Sequence, residues 1–395
     1  MSDQRKRYLE TAIHEDLAQK MVFLAGPRQI GKTTLAKMIG GRYRQPVYLN
    51  WDNRVHRKAI LQQQWLPEAD LLILDELHKH ARWKNLIKGI WDTRQHQEHI
   101  LVTGSSRLDI FRKGGDSLLG RYHHYRLHPF SLTEMTSTRL PVSTDKPPTL
   151  EFADAGREAM DLLFRFGGFP EPLFAASERV LRRWHRERFE RVLREDIRET
   201  ENVRSLSLVE QLGSMLPERV AAPLSLRSLS EDLEVSPKAV AAWMELLARN
   251  YYVFRVPPWH RRLARALKKE SKYYLWDWSE TPTEGARFEN MVASHLLKWC
   301  HFQQDVSGFD VELYYVRDLE KREVDFLIVW EKQPWLLVEC KLGGNYQFGH
   351  LNYFGERLGI TTHRYMVSLT GTDDYVDKAT GIRVIPAARF LTAFV

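Results

Sequence analysis

Short apolar runs alternate with helix-compatible stretches over the first third of the chain. The runs are MVFLAG, PVYLNWD, ADLLILDE, HILVTGSS and RYHHYRL. Such an alternation is typical of βα units that build a parallel sheet. The Pro-, Ser- and Thr-rich stretch TRLPVSTDKPPT ends the alternation and predicts a loop. We therefore expect an α/β domain with a parallel sheet over residues 1–138.

The next region is helical and dense in charge. In SERVLRRWHRERFERVLREDIRE the apolar positions recur at intervals of three and four residues, which is the pattern of an amphipathic helix. We expect a linker and a helical connector over residues 139–204.

A third module follows in LSLRSLSEDLEVSPKAVAAWMELLARNYYVFRVPPW. The pattern predicts a helix, a short turn at EVS, a second helix from Pro237 and then a strand, which is the order of a winged helix-turn-helix over residues 205–258. The second helix has a predicted buried stripe of Val240, Trp243, Leu246 and Leu247. Its outward positions are mostly alanines and Glu245, so we do not expect it to read bases specifically.

The last region, residues 259–395, contains two apolar runs, EVDFLIVW and WLLVECKL, joined at EKQP. If they form a hairpin, Glu339 and Lys341 project from one face of the second strand. Asp325 on the first strand then approaches that same face. Upstream, GARFENMVASHLL predicts an amphipathic helix that carries Glu289.

Composition limits the classes of protein that are possible. The chain has 395 residues, 43% of them hydrophobic, enough for two or three folded domains. Its 58 basic and 51 acidic residues leave a net charge of +7, which favours a polyanionic partner. Only two cysteines occur, no apolar run reaches the ~20 residues of a membrane span, and the N-terminus lacks a signal-peptide core. We expect a cytoplasmic protein without a membrane partner, and we assign no zinc site to the histidines of HKH and RYHHYRLH.

A phosphate-binding loop is the strongest chemical signal. AGPRQIGKTTL follows an apolar run and precedes a helix, as the pattern GxxxxGK[ST] requires. Backbone N–H groups of such a loop surround phosphate, Lys32 reaches the β and γ phosphates of ATP, and Thr33 offers its hydroxyl to Mg²⁺. The predicted nucleotide-binding residues are Gly26, Pro27, Arg28, Gln29, Ile30, Gly31, Lys32, Thr33, Thr34 and, further along the chain, Ser105.

Two further segments fit the same chemistry. LLILDE ends a predicted buried strand with Asp75, suited to the Mg²⁺ shell, and Glu76, suited to activating water. LVTGSS offers Thr103 and Ser105 as groups that sense the γ-phosphate, and we favour Ser105.

The order of these motifs, with LLGRY after them, resembles an AAA-type P-loop ATPase. More narrowly, the chain resembles a bacterial and archaeal group of ATPases in which that domain precedes a C-terminal domain of restriction-endonuclease-like fold. The segments that carry this resemblance are GPRQIGKTTL, TGSS, LHPFSLTEM and GGFPE. The resemblance implies that Arg121 is an arginine finger acting on the nucleotide of a neighbouring subunit, and hence a homo-oligomer. The alternative is that Arg121 pairs on its own surface.

The hairpin near the C-terminus carries a second candidate site. Two carboxylates that share a partly buried place repel each other, and a divalent metal relieves that repulsion. Asp325 and Glu339 are the predicted ligands of a second Mg²⁺ or Mn²⁺, and Lys341 would activate water. The spacing of Asp325 and Glu-x-Lys resembles the PD-(D/E)XK nuclease motif, with Val324 in place of its proline, and Glu289 matches the acidic residue of the superfamily's first helix. The alternative is a salt bridge among Asp325, Lys341 and Arg322.

A basic run next to the winged module favours DNA as a partner. It comprises Arg255, Arg261, Arg262, Arg265, Lys268, Lys269 and Lys272, enough to neutralise several phosphates. A solvated helix, or a surface for a neighbouring protomer, would also explain the run.

Taken together, these features predict an ATPase whose nucleotide state controls a C-terminal Mg²⁺-dependent nuclease that acts on DNA. The first alternative is a nucleotide-dependent regulator or assembly protein that uses the nuclease fold without cleaving. The second is a switch ATPase that acts on a protein partner.

Overall fold

The computed structural model describes residues 5–94, 98–105, 118, 120–136, 149–192, 206–260 and 270–395. The chain divides into two compact units, Met1–His128 and Pro129–Val395. The predicted loop TRLPVSTDKPPT lies almost entirely outside the described residues, so that prediction is untested.

The N-terminal unit is a five-stranded, wholly parallel sheet with helices between its strands, as the sequence predicts. The strand order is β2-β3-β4-β1-β5. The elements are α1 (Glu10–Leu17), β1 (Met21–Ala25), α2 (Lys32–Gly40), β2 (Pro46–Asn50), α3 (Arg54–Gln62), β3 (Leu71–Asp75), α4 (Trp83–Thr93), β4 (His99–Thr103) and β5 (Tyr122–Arg126), with a 3₁₀ turn at Leu77–Lys79.

The central strands are apolar on both faces because helices cover both sides of a parallel sheet. Every residue of β1 and of β3 is buried. Phe23, Leu74 and Val102 from the three central strands join one core cluster. This core fixes the carboxyl ends of β1, β3 and β4 side by side, which is the edge of an open α/β sheet where ligands bind.

The C-terminal unit begins with a helical part that leads into a helix pair and a small sheet. Its helices are α5 (Leu132–Thr136), α6 (Arg157–Phe166), α7 (Pro170–Ala175), α8 (Glu178–Arg191), α9 (Leu206–Met215), α10 (Leu226–Asp232) and α11 (Pro237–Arg249), with a 3₁₀ turn at Leu216–Arg219. Strands β6 (Pro223–Leu224), β7 (Val253–Val256) and β8 (Ser271–Leu275) pair antiparallel in the order β6-β8-β7.

The second helix of the predicted pair begins where the sequence indicates. The Ser236 hydroxyl accepts a hydrogen bond from the N–H of Ala239 at 3.2 Å, and Pro237 occupies the first turn, both of which favour a helix start. Val240, Leu246 and Leu247 are buried as predicted. Met244 completes the buried stripe, whereas Trp243 is only half-buried. The prediction that Trp243 is buried is therefore wrong.

The rest of the unit is a six-stranded mixed sheet beside a long helix, α12 (Glu284–Val306). The strand order is β13-β14-β12-β11-β10-β9. The remaining elements are β9 (Val311–Arg317), β10 (Glu323–Trp330), β11 (Gln333–Lys341), α13 (Gly349–Leu358), β12 (Arg364–Ser368), β13 (Tyr375–Val376), β14 (Arg383–Pro386) and α14 (Ala387–Phe390), with 3₁₀ turns at Trp278–Glu280 and Leu391–Ala393.

The predicted hairpin is present as the antiparallel pair β10–β11. Its turn is shorter than expected, because only Glu331 and Lys332 connect the strands, both with positive φ, as in the tightest hairpins. Pro334 therefore lies inside β11, opposite Val329.

Across the part of the chain that the structure describes, no helix is both long and apolar enough to cross a membrane.

Candidate functional sites

The loop between β1 and α2 depends on two glycines. Gly26 has φ +151°, and a Cβ there would stand 2.6 Å from the carbonyl oxygen of Leu127. Gly31 caps α2 with φ +98°, a conformation that other residues rarely adopt. These two positions let the backbone turn tightly into the N-terminus of α2, where an anion is stabilised.

Lys32 lies folded against this loop. Its buried ammonium donates to the carbonyl oxygens of Gly26 at 2.9 Å and Pro27 at 2.7 Å. The structure therefore places the cationic group at the loop, as the motif requires. Its contact with phosphate stays a prediction.

Asp75, at the carboxyl end of β3, is the centre of a hydrogen-bond network. Its Oδ2 accepts from Thr33 Oγ1 at 2.9 Å, the Tyr48 hydroxyl at 2.6 Å and Asn50 Nδ2 at 3.2 Å, and its Oδ1 accepts from Thr103 Oγ1. The structure thus brings together Thr33 and Asp75, the two predicted Mg²⁺ ligands of this site. Burial and the Asp75 hydrogen bond raise the pKa of Tyr48 to about 12.

Sequence reasoning missed Tyr48 and Asn50. Both lie on β2, which pairs with β3 so that Asn50 stands opposite Asp75. The only available signal was the position of Asn50 at the end of an apolar run.

Glu76, Ser105 and His78 form a second group at the same sheet edge. His78 Nε2 lies 3.0 Å from Ser105 Oγ and 3.8 Å from Glu76 Oε2. Lys79 Nζ lies 3.5 Å from that same Glu76 oxygen and 2.6 Å from Asp52. The predicted base and the predicted sensor are therefore bridged by a buried histidine, which the sequence offered only as one of several unassigned histidines.

Arg121 pairs with a residue of its own domain. Its Nε lies 3.0 Å from Asp92 Oδ1, and both side chains are partly exposed. Pairing of Arg121 on its own surface is the alternative to an arginine finger that the sequence leaves open, and the structure shows such a pair. Action on a neighbouring subunit remains a prediction.

The C-terminal site brings together the residues of the predicted D…ExK pattern. The N–H of Cys340 on β11 donates to Asp325 Oδ2 at 2.9 Å, so the Asp325 carboxylate lies against the neighbouring strand. Lys341 Nζ lies 2.8 Å from Glu339 Oε1. The salt bridge considered among Asp325, Lys341 and Arg322 is not formed, because Arg322 pairs with Asp318 and Glu320.

Lys272 lies in the C-terminal site, and not on the DNA-binding surface that the sequence predicts. Its side chain is 1% exposed, and its Nζ lies 2.8 Å from Glu323, 3.0 Å from Glu289 and 3.4 Å from Asp325. We grouped Lys272 with exposed, phosphate-binding lysines. That assignment is wrong, because this ammonium is buried among three carboxylates.

The electrostatics of this site favour uptake of positive charge. Burial and the nearby Asp325 charge raise the pKa of Glu289 to about 8 and that of Glu339 to about 7. Burial alone would lower the pKa of Lys272, but the three carboxylates outweigh it and raise that pKa. The buried Oε2 of Glu339 has no hydrogen-bond partner. Among the described residues, however, no three His, Cys, Asp or Glu side chains are arranged to hold a metal ion.

Most of the basic run cannot be placed. Arg261, Arg262, Arg265, Lys268 and Lys269 lie outside the described residues. Arg255 is exposed on β7 and donates to Ser271 Oγ at 2.8 Å.

Three family models match successive parts of the chain. Residues 18–136 match the model described as AAA domain. Residues 157–279 and 284–390 match two different models, each described as a domain of unknown function. The boundary between the second and third matches falls just before α12.

Several whole proteins are similar to this chain. An uncharacterized protein of Methanocaldococcus jannaschii is 22% identical over 82% of this chain and 75% of its own length. An uncharacterized protein of Mycobacterium tuberculosis is 21% identical over 83% of this chain and 71% of its own length.

Among solved structures, a Walker-type ATPase of Pyrococcus abyssi covers 69% of this chain and 93% of its own, at 12% identity and a TM-score of 0.40. A Thermotoga maritima RuvB variant covers 65% and 90%, at 16% identity and a TM-score of 0.32. Both TM-scores lie below 0.5, so these structures do not define the fold of this chain. The matched AAA model, the parallel sheet and the loop that precedes α2 together identify the N-terminal unit as an AAA-type P-loop ATPase domain, for which ATP and Mg²⁺ are the implied ligands.

Proposed function

We propose that this protein binds and hydrolyses ATP in its N-terminal domain. Lys32 binds the β and γ phosphates, Thr33 and Asp75 hold Mg²⁺, and Glu76 activates the attacking water. Ser105 senses the γ-phosphate. The observation that carries this proposal is the 2.9 Å contact between the Thr33 hydroxyl and Asp75, because it joins the phosphate loop to the carboxylate at the end of β3.

We further propose that the C-terminal unit is a nuclease-like domain of the PD-(D/E)XK type that acts on DNA under the control of the nucleotide state. Its candidate residues are Glu289, Asp325, Glu339 and Lys341. They lie on α12 and on the adjacent strands β10 and β11. The proposed domain boundaries stay those of the sequence, with the nuclease-like domain over residues 259–395.

A divalent cation fits this site by donor chemistry and charge. Asp325 and Glu339 would hold Mg²⁺ or Mn²⁺, which would polarise a phosphate oxygen and a bound water. Carboxylate oxygens are the ligands that these ions prefer. The Oε2 atom of Glu339 accepts no hydrogen bond within the protein, so it is available as a metal ligand. Lys341 is half-exposed beside Glu339, where an ammonium can face the solvent side of the site and stabilise charge that develops on phosphate.

The contact with DNA is proposed for the helix pair and the sheet β6-β8-β7. Two helices followed by an antiparallel sheet are the elements of a winged helix. Lys238 and Arg255 are exposed on them, and the basic run 261–269 connects two of the strands. A homo-oligomer is proposed as well, through the role of Arg121 toward a neighbouring subunit.

One observation favours the non-cleaving alternative, in which the nucleotide state regulates binding alone. The Lys272 ammonium already compensates Glu289 and Asp325. A site satisfied in this way is stable without a metal and has less need to bind one.

The deciding experiment incubates the purified protein with plasmid and oligonucleotides, with Mg²⁺ or Mn²⁺, with and without ATP. Metal-dependent cleavage that Lys341→Ala removes, while Lys378→Ala at an exposed lysine keeps it, supports the nuclease. DNA binding that weakens with salt but leads to no cleavage under any condition favours the non-cleaving regulator. Absence of both binding and cleavage would favour a switch that acts on a protein partner.

A further inference from the structure

Lys272 connects two separate sheets of the C-terminal unit. It lies on β8, in the sheet β6-β8-β7. Its carboxylate partners Glu323 and Asp325 lie on β10 of the six-stranded sheet, and Glu289 lies on α12. The ammonium is therefore shared among groups that no single secondary-structure element brings together.

The carboxylates that bind this ammonium also pair with other donors nearby. Tyr274, two residues further along β8, donates its hydroxyl to Glu289 at 2.7 Å. Arg317 Nη1 lies 3.3 Å from Glu323 Oε2, and the ring of Tyr315 lies 5.5 Å from Lys272 Nζ. A buried ammonium is tolerated only when it is paired in this way.

The charges around Lys272 do not balance. Four carboxylates belong to the cluster: Glu289, Glu323, Asp325 and Glu339. Three cations face them: Lys272, Arg317 and Lys341. Only Lys272 pairs with both Glu289 and Asp325, so its removal would leave these two partly buried carboxylates without an ion pair to any other described residue.

We propose that Lys272 is the built-in cation of the C-terminal site and that it competes with a divalent metal for Asp325. This inference rests on the proposed function, since it takes the metal site of Asp325 and Glu339 as given. With the ammonium in place, Glu289, Glu323 and Asp325 are held close together without a metal. A divalent ion that binds Asp325 must displace the ammonium or share the carboxylate with it, which weakens metal binding. Because Lys272 is carried by β8, a movement of β8 relative to β10 would set the metal affinity of the site.

The test compares the melting temperatures of the parent protein, Lys272→Met and Lys378→Met, each in EDTA and in Mn²⁺. Lys272→Met keeps most of the length of the side chain and removes its charge. We expect it to melt roughly 10 °C lower in EDTA, because two partly buried carboxylates lose their ion-pair partner. We expect Mn²⁺ to restore most of that loss, while the parent protein and the Lys378→Met control, at an exposed lysine outside the site, shift by much less.

A second variant keeps the test decisive if Lys272→Met does not fold. Lys272→Met combined with Glu323→Gln removes one carboxylate together with the ammonium and leaves Asp325 and Glu339 intact. It should fold and should also bind Mn²⁺ at least about 10-fold more tightly than the parent protein.

The outcomes separate this inference from the metal site on which it rests. A Mn²⁺ response as large in the parent protein as in the Lys272 variants overturns the competition and leaves the metal site standing. A Lys272→Met protein as stable in EDTA as the parent overturns the role of Lys272 as the compensating cation. No Mn²⁺ response in any folded variant defeats the proposed metal site itself, and the competition with it.

Discussion

The imidazole Nε2 of His78 lies 3.0 Å from the hydroxyl oxygen of Ser105. That same nitrogen lies 3.8 Å from Glu76 Oε2, so one buried side chain stands between the proposed γ-phosphate sensor and the proposed base. A change in the position of Ser105 on nucleotide binding would reach Glu76 through this ring.

We expect His78→Ala to slow ATP hydrolysis about 10- to 100-fold while leaving ATP affinity almost unchanged, because the base loses its positioning group and the phosphate loop is intact. Ser105→Ala should have a similar effect. If the two act through one contact, the double variant should be scarcely slower than either single variant. Strictly additive losses in kcat would contradict this coupling.

A second prediction separates binding from chemistry. Lys32→Ala should abolish tight ATP binding, because it removes the cation that reaches the phosphates. Glu76→Gln should bind ATP normally and hydrolyse it far more slowly, since only the activation of water is lost. Nucleotide-binding and phosphate-release assays measure the two effects. Near-normal hydrolysis in both variants would mean that the ATPase site is misassigned.

The N-terminal fold and the centre of its site were predictable from local patterns. All five predicted strands are present, and Thr33 and Asp75 meet as expected. Local signals suffice here because the loop, the apolar strands and the terminal carboxylate each lie within a few consecutive residues. Tyr48 and Asn50 were missed because their role depends on which strand lies beside β3, and the pattern of the chain does not determine that order.

Lys272 illustrates why the C-terminal site was less predictable. In sequence it follows Lys268 and Lys269 and resembles the end of an exposed basic run. Its contacts with Glu289 and Asp325 span 17 and 53 residues and depend on how a three-stranded and a six-stranded sheet pack together. Burial, not charge pattern, decides its role.

A third prediction concerns Arg7, whose buried guanidinium fixes the phosphate loop. It donates to the carbonyl oxygens of Ile30 at 2.9 Å and His128 at 2.5 Å. We expect Arg7→Met to weaken ATP and ADP binding about 10-fold, since the loop N–H groups lose their fixed orientation, but to leave adenosine binding unchanged. Arg54→Met, at an exposed arginine, is the control. Equal weakening of all three ligands would indicate a general loss of folding.

A fourth prediction decides between the two interpretations of Arg121. If it acts as a finger, Arg121→Ala lowers hydrolysis without much effect on ATP binding, and mixing it with Glu76→Gln partly restores activity by forming intact shared sites. Asp92→Ala, which removes the observed partner of Arg121, should then leave hydrolysis almost unchanged. No restoration at any mixing ratio favours a surface ion pair.

The last prediction is a pH dependence of the C-terminal unit that comes from His295. This buried ring accepts the N–H of Leu132 through Nε2 at 3.1 Å, and its Nδ1 lies 2.8 Å from the carbonyl oxygen of Met291. Burial is the main cause that lowers the pKa of His295, to about 4, although the Glu134 carboxylate, which pairs with Lys298, acts in the opposite direction. The folded state therefore holds the ring neutral, while the unfolded chain takes up a proton near pH 6.5.

Above the unfolded pKa the ring is neutral in both states, and the folded protein has its full stability. As the pH falls from 6.5 toward about 4, only the unfolded chain takes up the proton, so the free energy of unfolding decreases. The gap between 6.5 and about 4 corresponds to about 3 kcal/mol of unfolding free energy. His295→Gln cannot titrate, so its deficit relative to the parent protein should shrink by about that amount between pH 7.5 and pH 4. Urea unfolding followed by tryptophan fluorescence at several pH values measures the deficit, and subtracting the variant removes the titration of Glu289, Glu339 and other groups common to both. A deficit that stays constant over this range would show that His295 is not held neutral by the fold.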